Sequence, residues 1–319
     1  MRLRRSDPAK PGLTRNGRRV VDAAGEPVRD RETLDRIAAL VIPPAWRQVW
    51  IAPDPRGHIQ AVGVDAAGRK QYLYHPVWRE QQDRAKFDRV LELAERLPEV
   101  RDRLDTDLTG RGLTRSRVLA AVVGLLDMGM FRMGGAESAA RDEDPSYGLS
   151  TLRPEHVRIR GAVAVLEFVG KSGVEHEVDV VHLEICAVLR GLKRRRRGAD
   201  RLFAHWDPSA RRWQPVHAGT INEYLREISG EDMTAKDFRT WHGTVRAAVA
   251  LADAGPQPTP AKRRKAVAEA MREAATLLGN TPAVARGSYV DPRVVEAYEQ
   301  GDVATHEAEV RALLNDGPT

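Results

Sequence analysis

The chain has 319 residues, enough for two domains, and its 42% hydrophobic and 30% charged content is that of an ordinary globular protein. A single cysteine, Cys186, excludes an internal disulfide framework and fits a reducing cytosol, and the nine histidines show no zinc-ligand spacing. Lys and Arg outnumber Asp and Glu by 51 to 45, a net charge of +6, and the excess is clustered. Residues 1–20 carry Arg2, Arg4, Arg5, Lys10, Arg15, Arg18 and Arg19 against one acid, Asp7, while "KRRRR" fills 193–197 and "KRRK" 262–265. Such clusters suit a polyanion such as nucleic acid, and suit solvated basic faces equally well.

The opening "MRLRRSDPAKPG" has no apolar run of the signal-peptide kind. Residues 1–27 are rich in Gly, Pro and Arg and read as extended. A short helix is expected over 31–40, ended by Pro43-Pro44, followed by strands at 47–52, 58–65 and 70–75 joined by turn-like "DPRG" and "AAGR". A small sheet with one helix, closing near residue 90, makes the first domain (1–90). The remainder (91–319) is mostly helical. "TRSRVLAAVVGLLDMGMFRMGG" (114–135) starts at a Thr cap and is expected to run as a buried helix to Gly134-Gly135. Its apolar core, 118–126, is half the length of a membrane span and is followed by Asp127, so no membrane role is expected. "HVRIRG", "AVAVLEFVG" and "VEHEVDVV" read as three antiparallel strands with tight Gly turns. Helices return near 181–192, 219–229, 236–253, 263–278, 292–300 and 304–314.

Five residues carry possible chemistry. Thr234 and Asp237 form a capping-box pattern, which puts Arg239 near a helix N-terminus, a natural phosphate site; a surface ion pair explains an isolated arginine there as readily. Arg132 follows the all-apolar helix and must reach a partner or a cleft. Lys171 lies at the tip of a hairpin. Its "GKS" is not a nucleotide-binding P-loop, because Val165 stands where the first glycine belongs and a strand follows instead of a helix. Asn280 closes one helix after Gly279, and its amide offers a neutral N–H donor. Tyr289 sits in a hinge between that helix and the next, which Asp291 and Pro292 should start. Two arginines, a lysine, an amide and a tyrosine are together what metal-free phosphodiester transesterification needs: fixed donors for the non-bridging oxygens, a general acid, and a nucleophile whose ester can be reversed.

The order of several blocks resembles the type IB DNA topoisomerases, of the small poxvirus-like bacterial kind, over nearly the whole chain. "LVIPPAWRQVWI" and "GVDAAGRKQYLYHPVWRE" look like that family's N-terminal DNA-binding domain; "SYGLSTLRPEHVRIRG", "FVGKSG", "TAKDFRTWHGT" and "GNTPAVARGSYVDPRVV" look like its catalytic domain. The resemblance implies an α+β fold of the tyrosine recombinase/topoisomerase IB type, with a β-rich DNA-binding clamp and a mainly α-helical catalytic domain that holds a three-stranded antiparallel sheet. It implies Tyr289 as nucleophile, Lys171 as general acid, Arg132 and Arg239 as clamps on the non-bridging oxygens, and Asn280 as a further donor to them. Arg69, Lys70, Gln71, Tyr72 and Tyr74, with Lys236 in the catalytic domain, are the implied DNA contacts. Tyr72 and Tyr74 are two residues apart and share one sheet face, so both pack or both touch DNA.

The resemblance further implies a monomer acting on supercoiled duplex DNA with no metal, cofactor or nucleotide, in the cytoplasm with the nucleoid. Two departures stand out. Relatives usually carry histidine where this chain has Asn280, which points to a transition-state donor rather than an acid–base group. "GGAESAARDED" after Arg132 is less basic than the poxviral counterpart, so a cleavage-sequence preference does not carry over. A tyrosine recombinase shares the architecture, but its usual histidine three residues before the second arginine is Lys236 here. A non-catalytic DNA-binding protein is disfavoured by the intact set of Arg132, Lys171, Arg239 and Tyr289.

Overall fold

A computed structural model of the chain describes residues 1–17, 19–141, 143–195, 200–230 and 233–316. Arg18, Arg196 and Arg197 of the basic clusters lie outside the described residues. The fold is mixed α+β and divides into two units, Met1–Lys86 and Phe87–Thr319.

In the first unit, β1 (Leu13–Asn16), β2 (Arg19–Val21), β3 (Arg47–Ile51), β4 (Ile59–Val64) and β5 (Lys70–Tyr74) form one antiparallel sheet in the order β2-β1-β3-β4-β5. Helix α1 (Arg31–Ala39) covers it, with Ile37, Val49, Ile51 and Ala61 at the centre of the core. The segment expected to be merely extended therefore supplies a hairpin. Its signal is Gly17 at φ +60, directly after Asn16, which pairs with Arg19: a glycine entering the left-handed region between two strands is the chemistry of a tight β-turn. Along β5 the alternation is strict. Lys70, Tyr72 and Tyr74 point outward, while Gln71 and Leu73 are half-buried.

The second unit follows in chain order. Helix α2 (Pro76–Leu108) begins in the first unit and runs for 33 residues. The sequence pattern predicts no single helix over this span; its apolar positions nevertheless recur at helical spacing, with Val90, Leu93, Ala94, Leu97, Val100, Leu104 and Leu108 buried. Pro98, a residue that normally breaks a helix, lies inside it. Then come α3 (Arg115–Leu126), α4 (Ala136–Ala139), the sheet β6 (Val157–Arg160), β7 (Val163–Val169) and β8 (Glu175–Val181) in that spatial order, and α5 (Leu183–Lys193). A two-stranded hairpin, β9 (Ala204–Asp207) and β10 (Arg212–Pro215), is an element the sequence pattern does not predict. The chain ends with α6 (Ala218–Ser229), α7 (Ala235–Ala254), α8 (Pro260–Leu278), α9 (Pro282–Ser288), α10 (Arg293–Gln300) and α11 (Glu307–Asp316).

Helix α3 is buried almost all round, as expected, but it ends at Leu126 and not at Gly134. Gly129 adopts φ +76, which turns the chain out of the helix, and the carbonyls of residues 129–131 then face another partner. The hinge expected around Tyr289 also differs. It contains α9, a seven-residue helix that starts with Thr281 capping the Val284 amide and Pro282 at the first helical position. Among the described residues no helix is long and apolar enough to cross a membrane.

Candidate active site

Arg239 enters the core because α7 starts where the sequence places it. The Asp237 carboxylate accepts from the Thr234 amide (2.9 Å) and hydroxyl (2.8 Å), closing the N-terminal turn, and takes a further bond from Arg89 (2.9 Å). One turn in, the Arg239 side chain is 3% exposed. Its Nη1 donates to the Met130 carbonyl (3.2 Å), with the Gly129 and Phe131 carbonyls at 3.5 and 3.4 Å, and its Nη2 donates to the Leu278 carbonyl (2.6 Å). These bonds occupy the carbonyls that the chain presents once Gly129 has turned it out of α3.

The early end of α3 also fixes Arg132. Its Nη2 donates to the Gly279 carbonyl (3.1 Å) and to Asn280 Oδ1 (2.5 Å). Gly279 closes α8 at φ +56, so the C-terminal turn of α8 delivers both acceptors. Two cations thus meet at one helix end. Among the described residues neither has a carboxylate partner, and burial followed by the charge of Arg132 pulls Arg239 down to about 10. Arg239 Nε and Asn280 Nδ2 are buried and have no hydrogen-bond partner. Native interiors rarely leave donors unsatisfied, and a pair of uncompensated guanidiniums beside two orphan N–H groups has the chemistry of an anion site.

Tyr289 is the C-terminal cap of α9, and its ring centroid lies 5.2 Å from the Arg239 guanidinium. Its backbone is held by two neighbours in α7. Thr244 Oγ1 donates to the Tyr289 carbonyl (3.3 Å) and accepts from the Asp291 amide (3.0 Å). Gly243 leaves room: a Cβ there would lie 2.9 Å from Leu278 Cδ1 and 3.1 Å from the Tyr289 carbonyl oxygen. Asp291, 3% exposed, caps the following turn through the Arg293 amide (2.9 Å) and grips the Arg293 guanidinium (2.7 Å). The tyrosine is therefore clamped at its backbone, while its side chain is half-buried beside the cations.

Lys171 stands apart. It is exposed on the three-residue turn between β7 and β8, where Ser172 adopts φ +65, and it makes no hydrogen bond among the described residues. Lys236 is exposed on the first turn of α7. In the first unit, Tyr72 and Tyr74 stack with centroids 6.0 Å apart at 40% and 39% exposure, so both face solvent, and Lys70 Nζ lies 5.9 Å from the Tyr72 ring. Arg69 and Gln71 are instead tied to Asp65 (each 2.9 Å), whose carboxyl is held at about 2, chiefly by the Arg69 amide.

Two groups of supporting residues carry no signal in the sequence. A half-buried ion network ties α2, the C-terminal end of α3, α7 and α11 together at Asp127. Arg101 donates to Asp127 (2.7 Å) and Glu307 (2.7 Å), His242 meets Asp127 (3.0 Å), and Trp241 donates to Glu307 (2.6 Å). Burial opposes ionisation of Asp127, but its bonds to His242 and Arg101 win and keep its carboxyl below the usual range. The second is His176 on β8, stacked on Phe168 (5.0 Å, 17°), with burial and then Arg132 and Arg239 lowering its pKa. No local pattern marks either; only the tertiary fold brings their partners together. Among the described residues no group of three or more His, Cys, Asp and Glu is arranged to hold a metal ion.

Comparison with known proteins matches this architecture in both units. Residues 75–313 match the family described as eukaryotic DNA topoisomerase I, catalytic core, and residues 19–65 match bacterial DNA topoisomerase IB, N-terminal domain. DNA topoisomerase 1B of Acanthamoeba polyphaga mimivirus is 31% identical over 278 residues, 83% of this chain and 80% of that protein. DNA topoisomerase I of Monkeypox virus is 25% identical over 242 residues, 74% of this chain and 71% of that protein. The mixed α+β fold is that of the topoisomerase IB and tyrosine recombinase class. Within it, the chain belongs to the type IB DNA topoisomerase family.

Proposed function

We propose that the protein relaxes supercoiled duplex DNA as a small, poxvirus-like bacterial topoisomerase, a monomer of the nucleoid-bearing cytoplasm that needs neither nucleotide nor metal. The observation that carries this reading is the uncompensated Arg132–Arg239 pair, with the free Arg239 Nε and Asn280 Nδ2 donors, beside Tyr289. A scissile phosphate supplies the missing negative charge. The arginines and the Asn280 amide take its non-bridging oxygens, and they stabilise the charge that builds there in the transition state.

Tyr289 Oη attacks phosphorus and loses its proton to water. The P–O5′ bond breaks, Lys171 protonates the departing 5′ oxygen, and the products are a 3′-phosphotyrosyl bond and a free 5′-hydroxyl. One phosphodiester replaces another, so the exchange is close to balanced in free energy and no ATP is needed. The strand beyond the nick rotates, releases torsion and attacks back, and each proton retraces its path. A neutral phenol is a weak nucleophile, and here position and neighbouring cations do the activation. Lys70, Tyr72, Tyr74 and Lys236 are exposed and of the right chemistry for phosphate and sugar contacts. Arg69 and Gln71 contact DNA in this reading only by exchanging their bonds to Asp65.

Incubation with supercoiled plasmid in EDTA, without ATP, at low to moderate salt is expected to give relaxed topoisomers, and persistent supercoiling contradicts the proposal. Binding weakens as salt rises, through release of condensed counterions. Asn280→His is expected to keep relaxation within about tenfold of wild type, because a neutral imidazole offers one acceptor for Arg132 and one N–H for the phosphate. Complete loss of relaxation in that variant removes the donor role.

A further inference from the structure

We infer that His176 is a positioning residue for Lys171, a ring wedged between the turn that bears the lysine and the helix end that bears Asn280. This role rests on the transesterification reading and adds to it the part that registers the general acid against the phosphate donors.

In that reading Lys171 must reach the phosphate from an exposed hairpin tip that, among the described residues, no side-chain bond fixes. Ser172 is left-handed, Gly173 follows at φ +73, and the Gly170 amide bonds only across the base, to the Val174 carbonyl (2.7 Å). His176 is the first inward-facing residue beyond that tip. It is paired directly with Phe168 across the strands and stacked on it, and Phe168 in turn stacks on Phe131 (6.3 Å), the residue before Arg132. On one side the imidazole crosses Gly170, the residue before Lys171, so closely that a Cβ there would lie 2.6 Å from its Cδ2 and Nε2. On the other it presses on Gly279, where a Cβ would lie 2.9 Å from Cε1. Gly279 supplies the carbonyl bound by Arg132 and precedes Asn280. One ring therefore touches both the root of the Lys171 turn and the acceptor end of α8, and two glycines make space for it. Neither ring nitrogen has a hydrogen-bond partner among the described residues, so the contact works through shape. The lowered pKa keeps the ring neutral at pH 7 and adds no third cation to the anion site.

The test uses a leaving group that needs no acid. Single-turnover cleavage is measured at a site mapped with the wild-type protein, on duplexes carrying either the natural bridging 5′ oxygen or a bridging 5′ sulfur. A thiol has a pKa of about 8.5 and leaves without protonation. Misplacing the acid by an ångström costs on the order of 100-fold. His176→Ala is therefore expected to slow the oxygen substrate by about 10- to 100-fold and the sulfur substrate by less than about threefold, with DNA affinity unchanged.

His176→Phe keeps the stacked ring and stays within about fivefold of wild type on both substrates. Gly170→Ala, at an unstrained φ, displaces the ring and reproduces the His176→Ala pattern; combined with His176→Ala it adds little further loss. Should His176→Ala fail to fold, Gly170→Ala and His176→Phe carry the test. Equal losses on oxygen and sulfur, wild-type rates in both His176→Ala and Gly170→Ala, or a His176→Phe loss as large as that of His176→Ala each overturn the inference. A wild-type protein that forms no covalent adduct overturns the transesterification reading as well.

Discussion

Tyr289→Phe loses plasmid relaxation and the covalent DNA adduct by a factor on the order of 10⁴ or more, while DNA affinity stays within about threefold of wild type. The substitution deletes one oxygen. The ring remains beside the Arg239 guanidinium, and the backbone clamp is untouched because Thr244 and Gly243 act on the main chain of residues 289 and 291. Packing loss is small for a half-buried ring, so the melting temperature should hold. The measurement pairs an adduct assay on denaturing gels with a binding titration at fixed salt. A variant that still relaxes plasmid removes Tyr289 as nucleophile, and one that loses binding in parallel with activity points to a structural role.

Arg239→Ala is the second large effect: a loss of about 10³- to 10⁵-fold in the rate of adduct formation, the range in which an arginine acts on phosphoryl transition states. Arg239→Lys should recover little of it, because an ammonium cannot reach the 130 and 278 carbonyls and a phosphate with one planar fork. Stability moves in two directions in the alanine variant. Carbonyls that accepted the guanidinium lose a donor, which destabilises, and a buried like-charge neighbour of Arg132 is removed, which relieves repulsion.

The pH dependence has a definite sign. A guanidinium lowered to about 10 when folded holds fewer protons than the unfolded chain above that pH. Without DNA, the contribution of Arg239 to stability should therefore rise as pH climbs past about 10, while groups with raised pKa values such as Tyr224 lose theirs, so the Arg239 part is read as the difference from Arg239→Ala. The rate, which needs the charged form, should fall over the same range. Bound phosphate opposes that fall by holding the proton on, so the alkaline limb should sit higher with DNA bound. A rate that climbs steadily through this range contradicts the assignment of Arg239 as a charged clamp.

The elements legible in the sequence are those with a complete local signature. The Thr234/Asp237 box places α7, Gly279 ends α8, and alternation with glycine turns marks β6, β7 and β8. Elements whose ends are set by distant partners are not legible in this way. Helix α3 stops at Leu126 as Gly129 turns left-handed, and the carbonyls of 129–131 that follow meet Arg239, more than a hundred residues away. Helix α9 is short, begins with a proline just after Gly279 and holds Gly287 in its last turn, so its residues resemble a loop. Helix α2 is obscured by Pro98 and by a strongly charged surface. The site divides in the same way. Arg132, Arg239, Asn280 and Tyr289 can each be singled out, yet only the fold shows the cations meeting with no counter-charge among the described residues, and His176 and the Arg101–Asp127–His242–Glu307 network emerge only when elements distant in sequence come together.

Whether Tyr289 becomes joined to a 3′ phosphate is tested most directly by stopping the protein on a duplex with SDS, with one strand labelled at its 5′ end in one sample and at its 3′ end in another, and then mapping the modified peptide. The 5′-labelled fragment is expected to become protein-linked, the released fragment to carry a 5′-hydroxyl, and the linked peptide to contain Tyr289. A protein-linked 5′ phosphate, a linkage to another residue, or no linkage on DNA that the protein binds contradicts the assignment.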